Sequence, residues 1–166
     1  MEDDDNPINA IELAQPKLGQ ELSGCVCFNL RKAARTITHH YDEILKPSGL
    51  LVTQFTVLAA ISVAQSKTIN ELAEILVMDR TTLTRNLKPL EREEWLRVEH
   101  GQDRRTRMIS LTTKGELALA KAIPLWRSAQ DNMKKLLGHE RLGILLSNLS
   151  ETTTLFPVSI TPPDTK

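Results

Sequence analysis

Residues 68–90 read TINELAEILVMDRTTLTRNLKPL, and the fold turns on this stretch. Thr68 and Glu71 have the spacing of a capping box, in which the hydroxyl accepts from the backbone three residues on and the carboxylate reaches back. The short helix they open carries Ile69, Leu72, Ala73 and Leu76 on one side. Val77 and Met78 make a brief turn, and Asp79 caps a new helix from Arg80 to about Glu91. Leu83, Leu87 and Leu90 recur at helical spacing and form its buried stripe. Thr81, Thr84, Arg85 and Lys88 fall on the other face, and Arg80, Thr81 and Thr82 occupy the first turn. Pro89 is expected to kink or end the helix.

Downstream, Leu96 to His100 alternates as a strand does, and Arg107 to Leu111 returns as a second strand. Gly101 to Arg105 is the charged turn between them, with Arg104 and Arg105 at its tip and Asp103 placed to brace one of them. A long helix follows from Thr112 through about Leu137, with a kink expected at Pro124, and a last helix covers about Glu140 to Thr154. Upstream, a first long helix is expected from about Leu18 to Leu45, its apolar face marked by Val26, Leu30, Ala33, Ala34, Ile37 and Tyr41. Lys46 to Gly49 stops it, and a second helix starts with Thr53 as N-cap and carries Phe55, Val57, Leu58 and Ile61. Gln65 to Lys67 reads as a loop. The expected organisation is an acidic arm over 1–17, a single domain over 18–154 and a disordered tail over 155–166.

The expected fold is therefore mainly α with a small β-hairpin wing: a winged helix-turn-helix flanked by long terminal helices. Such an arrangement fits double-stranded DNA, because a recognition helix needs one face to anchor it and an opposite face of groove-reaching side chains. Arg80, Thr81, Thr82, Thr84, Arg85 and Lys88 are the candidates for the major groove and its phosphates. Arg104 and Arg105, held on a narrow ribbon, are the candidates for a minor groove.

Composition narrows the alternatives. With 40% apolar residues but only one Tyr, three Phe and two Trp, the core must rest on aliphatic side chains, which favours helices. The net charge is zero, yet the first twelve residues hold Glu2, Asp3, Asp4, Asp5 and Glu12 without a base, while Arg and Lys thicken between Arg80 and Arg107. That unevenness leaves room for a nucleic-acid face. Cys25 and Cys27 are too close within a helix to bridge easily. No signal peptide or membrane-spanning run is legible, so the expected compartment is cytoplasmic. No catalytic or phosphate-loop motif stands out, so no enzymatic activity and no cofactor are expected. His39, His40, His100 and His139 show no metal-ligand spacing, so no metal site is expected either.

Three segments in this order resemble the MarR-type regulators: Leu50 to Leu58 (LLVTQFTVL), Met78 to Leu90 (MDRTTLTRNLKPL) and Asp103 to Gly115 (DRRTRMISLTTKG). The last shows Asp-x-Arg, five spacers, then Leu-Thr-x-x-Gly, and the resemblance runs from about Cys25 to Thr154. It implies a homodimer built from the first and last two helices, binding a pseudo-palindromic operator, usually as a repressor. It implies that Arg105 is the minor-groove residue. It also implies a site for a small aromatic effector, for which His40, Tyr41, Phe55, Leu58 and Trp126 are the candidates; plain packing of Trp126 and Gln130 is the alternative. Val26 to Leu30 is similar to the segment that carries the reactive cysteine in the organic-hydroperoxide sensors of this family. That makes Cys27 a candidate redox residue and Tyr41 its partner, although Arg31 and Val52 stand where those sensors have further tyrosines. Glu94 stands where the family often has Gly, and the turn before the recognition helix also lacks Gly. Two readings from other classes remain: a winged-helix module that docks proteins without binding DNA, and an architectural DNA binder indifferent to sequence.

Overall fold

The computed structural model describes residues 17–64, 67–101 and 106–156. The chain divides into two compact units, residues 1–39 and 40–166. The acidic arm up to residue 16, the tail from residue 157 and the wing tip over 102–105 lie outside the described residues.

In the first unit, residues 17–24 are helical, and helix α1 (Val26–Leu45) begins after a break at Cys25. One continuous helix from Leu18 was expected. The break has a local cause: the Asn29 side-chain amide donates to the Ser23 carbonyl (2.8 Å), an acceptor that a continuous helix would have used, and also to the Cys25 carbonyl (2.9 Å), which still accepts from Asn29 N–H. Gly24 just before the break weakens the helix further.

The second unit holds the core. The end of α1 contributes Tyr41 and Leu45, and a short 3-10 turn (Lys46–Ser48) closes on Gly49, whose φ of 81° suits a residue without Cβ. Helix α2 (Val52–Ala64) starts two residues earlier than expected, because its cap comes from a distance. Asp42 Oδ1 accepts from the Val52 N–H at 2.7 Å, and Gln54 Oε1 accepts from Leu51 N–H at 3.0 Å, so Thr53 lies inside the helix and is not its cap.

Strand β1 (Lys67–Thr68) was not expected. It leads into α3 (Ile69–Leu76), then α4 (Arg80–Arg92), β2 (Leu96–His100), β3 (Arg107–Leu111), α5 (Thr113–Leu137) and α6 (His139–Leu155). The sheet has the order β1-β3-β2, all antiparallel, with Thr68 opposite Met108 and Leu96 opposite Leu111. Leu58, Leu72, Leu83, Leu90, Leu96 and Ile109 are the best-buried residues where α2, α3, α4 and the sheet converge. Trp95, Val98, Trp126 and Met133 pack around them.

Pro89 does not end its helix. Helix α4 continues past Pro89 to Arg92, and α5 runs unbroken through Pro124. Each proline removes one backbone donor, and in both helices the anchored apolar stripe holds the flanking turns. No single helix among the described residues is long and apolar enough to cross a membrane.

Candidate nucleic-acid interface

The capping box forms as its spacing demands. Thr68 Oγ1 accepts from Glu71 N–H at 3.2 Å, and Glu71 Oε2 accepts from Thr68 N–H at 2.9 Å. Helix α3 then ends with Val77 in the left-handed region (φ 51°, ψ 46°), and Met78 N–H reaches back to Ala73 C=O at 2.9 Å. A β-branched residue is strained there. The second glycine-free turn behaves alike: Glu94 has φ 57°, and Trp95 N–H reaches back to Leu90 C=O at 3.0 Å.

Asp79 starts α4. Its Oδ1 accepts from Thr82 N–H at 2.8 Å, and its Oδ2 accepts from the Thr82 hydroxyl. The hydroxyl bond first, and the backbone bond second, hold the Asp79 carboxyl below the usual carboxylate range. The Thr82 hydroxyl proton is therefore committed to the cap. Helix α4 is fastened by Leu83, Leu87 and Leu90, none more than 3% exposed. On its other side Arg80, Thr81, Thr82, Arg85 and Lys88 are exposed and Thr84 is half-buried. The Thr84 hydroxyl donates to Arg80 C=O at 2.7 Å, so its methyl is left to meet a partner. Among the described residues Arg80, Arg85 and Lys88 form no ion pair.

The wing is fastened at both ends of its strands. Gly101 N–H donates to Thr106 C=O at 2.8 Å beneath the tip. At the base, Thr112 caps α5 by accepting from Gly115 N–H at 3.1 Å, while its own N–H donates to Trp95 C=O at 3.1 Å. Arg104 and Arg105 belong to the tip and lie outside the described residues.

Sequence reasoning missed a cleft of about 200 Å³ beneath the wing, lined by Thr68, Ile69, Asn70, Arg80, Thr106 and Arg107. Two signals could have revealed it. Period-two alternation puts Arg107 on the same face of β3 as the buried Ile109. The pairing of Thr68 with Met108 then sets Arg107 beside the start of α3. The second signal needs β1, which the sequence did not disclose.

The effector candidates fall within the second unit. Leu58 is fully buried, Tyr41 and Phe55 nearly so, and Trp126 is half-buried with its ring stacked on Phe55 (centroids 5.6 Å apart, planes at 24°). Burial pushes the Tyr41 phenol above its ordinary pKa. His40 meets Tyr41 edge-on, and its buried Nε2 has no hydrogen-bond partner among the described residues. Cys27, in the first unit, is exposed and Cys25 half-buried, both as free thiols. No three His, Cys, Asp or Glu side chains converge among the described residues.

Comparison with known proteins agrees with this geometry. Residues 48–106 match a sequence model described as MarR family. The transcriptional regulator SarZ of Staphylococcus epidermidis is 36% identical over 57% of this chain, and the match spans 65% of SarZ, just under two thirds of its length. The M. tuberculosis transcriptional regulator MosR, solved in complex with DNA, is 41% identical over 81% of this chain and 99% of that one, with a TM-score of 0.71. A cysteine-to-serine mutant of E. coli MarR, solved with operator DNA, is 25% identical over 74% of this chain and 89% of that one, with a TM-score of 0.68. A likeness that spans almost the whole of MosR, over a fold with its helix-turn-helix and wing in the expected order, shows that the chain belongs to the MarR family.

Proposed function

We propose that this chain is a DNA-binding transcriptional regulator that works in the cytoplasm as a homodimer on a pseudo-palindromic operator. In this reading it is a repressor released by a small-molecule effector and catalyses nothing. The two-sidedness of α4 carries the reading. Three leucines fix the helix to the core, and the opposite side offers Arg80, Arg85 and Lys88 without intramolecular partners among the described residues. An exposed helix of this kind, followed by a wing, is the pattern that docks in a major groove. MosR and E. coli MarR, both similar to this chain, were solved with DNA.

The homodimer is supported by apolar surface that a lone chain leaves in water. Helix α6 exposes Ile144, Leu146, Leu149 and Leu155, and in the first unit Leu18, Leu22, Val26, Phe28, Leu30 and Ile37 are exposed. The effector is supported by the unpartnered His40 Nε2 and by the stacked Phe55–Trp126 pair, an apolar surface with one polar anchor. A second reading, thiol-based peroxide sensing, is supported by the exposed, free Cys27.

Fluorescence anisotropy with duplexes from the DNA upstream of its own coding sequence tests the reading. Tight binding that weakens steeply with salt is expected. Arg85→Ala shifts which base pairs are preferred, and Arg105→Ala weakens binding by about 1–3 kcal/mol. Salt-independent or absent binding would point instead to a protein-docking module. Equal affinity for every duplex would point to an architectural binder. For the peroxide reading, cumene hydroperoxide releases DNA from wild type and Cys25→Ser but not from Cys27→Ser; unchanged wild-type binding rejects it.

A further inference from the structure

Beneath the wing, three elements far apart in sequence meet at one place: the start of α3 (Thr68, Ile69, Asn70), the first residue of α4 (Arg80) and the chain entering β3 after the wing tip (Thr106, Arg107). We propose that this cleft seats one backbone phosphate of double-stranded DNA between the guanidinium groups of Arg80 and Arg107, with Asn70 and Thr106 as flanking donors. The proposal rests on the DNA-binding reading above and names a contact separate from the groove-facing side of α4 and from the wing tip.

Charge is the first reason. Among the described residues the lining holds two arginines and no carboxylate. Both arginines are exposed, and neither forms an ion pair among the described residues. The acids close in sequence are engaged: Asp79 by the backbone and hydroxyl of Thr82, and Glu71 by the backbone and hydroxyl of Thr68. Two guanidiniums that share a cleft and form no ion pair among the described residues repel one another, and an external anion relieves that cost.

Geometry is the second. The Thr68 hydroxyl and N–H are spent on the capping box. Among the described residues, the lining side chains whose donors have no internal partner are those of Arg80, Arg107, Asn70 and Thr106. Planar guanidinium forks match phosphate oxygens and bind them bidentately. The cleft is open, so it admits one phosphate of a continuous strand without needing a chain end. Arg80 is the first residue of α4, the end of a recognition helix beside which a strand backbone passes when the helix lies in the major groove.

A phosphate seat positions the duplex without reading its sequence. The full-length protein is therefore titrated, across a KCl series, with a labelled duplex from the DNA upstream of its own coding sequence and with a scrambled duplex of equal length and composition. Arg107→Ala is expected to weaken both by the same factor, about ten-fold. It should reduce the slope of log K against log salt by about 1 per protomer, and Arg107→Lys should recover that slope. Replacing phosphates one at a time with neutral methylphosphonates should find a position whose neutralisation weakens wild type but not Arg107→Ala. Inorganic phosphate at constant ionic strength separates the two sources of the anion. Inorganic phosphate that binds through Arg107 while leaving duplex affinity unchanged assigns the cleft to a free oxyanion and overturns the proposal. So does an unequal effect of Arg107→Ala on the two duplexes, or an unchanged affinity and slope while wild type still binds. Wild type that binds neither duplex refutes the DNA-binding reading itself, and the phosphate seat with it.

Discussion

Gly115→Ala is expected to unfasten the wing from α5, and the structure sets the size of the effect. An ideal Cβ at Gly115 would stand 1.8 Å from the Trp95 carbonyl oxygen, 2.7 Å from its carbon and 3.1 Å from its Cα. All three are backbone atoms, so no rotamer change relieves the clash. Helix α5 must move away from the strand that Trp95 leads into. That movement strains two bonds at once: Thr112 N–H to Trp95 C=O at 3.1 Å, and Gly115 N–H to Thr112 Oγ1 at 3.1 Å. Overpacking costs about 1–3 kcal/mol, a lost N-cap about 1, and a stranded carbonyl about 1–3, so the sum is about 3 kcal/mol or more. Urea denaturation measures it. Gly143→Ala is the control, because nothing lies within 4 Å of its added Cβ and it sits inside α6. There the same substitution should stabilise by about 0.5–1 kcal/mol. Equal stability of Gly115→Ala and wild type would refute the reasoning, since it would mean that the approach of α5 to Trp95 is not fixed.

Three further outcomes follow from single contacts. Thr82 donors depress the folded-state Asp79 carboxyl, so its stabilising effect is present above the unfolded carboxylate value near ~3.9 and is lost as pH falls through the folded value. Wild type should therefore lose stability relative to Asp79→Asn on acidification, and parallel pH profiles of the two would reject the cap. The Phe55–Trp126 stack should give a coupling of about 1 kcal/mol in a double-mutant cycle with leucine replacements, and additive losses would reject it. Val77→Gly should stabilise by about 1 kcal/mol, because a left-handed backbone disfavours a β-branched residue and the Val77 side chain is half in water; a destabilised variant would show that its side chain matters more than its backbone.

What the sequence disclosed was local. Caps at Thr68 and Asp79, the leucine stripe of α4 and the alternating strands β2 and β3 each depend on residues within a few positions, and all formed as read. What it hid was non-local. The Asp42 carboxylate that starts α2 lies ten residues away. Strand β1 has two residues, too few for a period, and exists because β3 lies beside it. Local rule left open whether Pro89 kinks or ends α4, and the helix continues past it to Arg92. The candidate site divides in the same way: the α4 side chains were legible from periodicity, whereas Arg107 gained meaning only when the register of β1 on β3 brought it to the cleft that Arg80 also lines.

The zero net charge conceals how the cations are distributed. Arg97, Lys114 and Lys134 are each neutralised by a nearby carboxylate, on Glu99, Glu94 and Asp131. Arg80, Arg85, Lys88 and Arg107 have no such partner among the described residues, and they sit on α4 and on the strand that borders its first turn. Most other described cations are likewise unpaired, so what marks this face is that four of them gather on it, and a neutral chain can bind a polyanion through such a local gathering. The size of that face bounds an observable. If all four cations in each of two protomers met phosphates, each releasing about 0.9 counterions, the slope of log K against log salt would be about −7. Side chains that read bases instead lower the magnitude, and Arg104 and Arg105 at the wing tip raise it. A slope near zero would mean that the uncompensated face does not meet DNA, whatever the family.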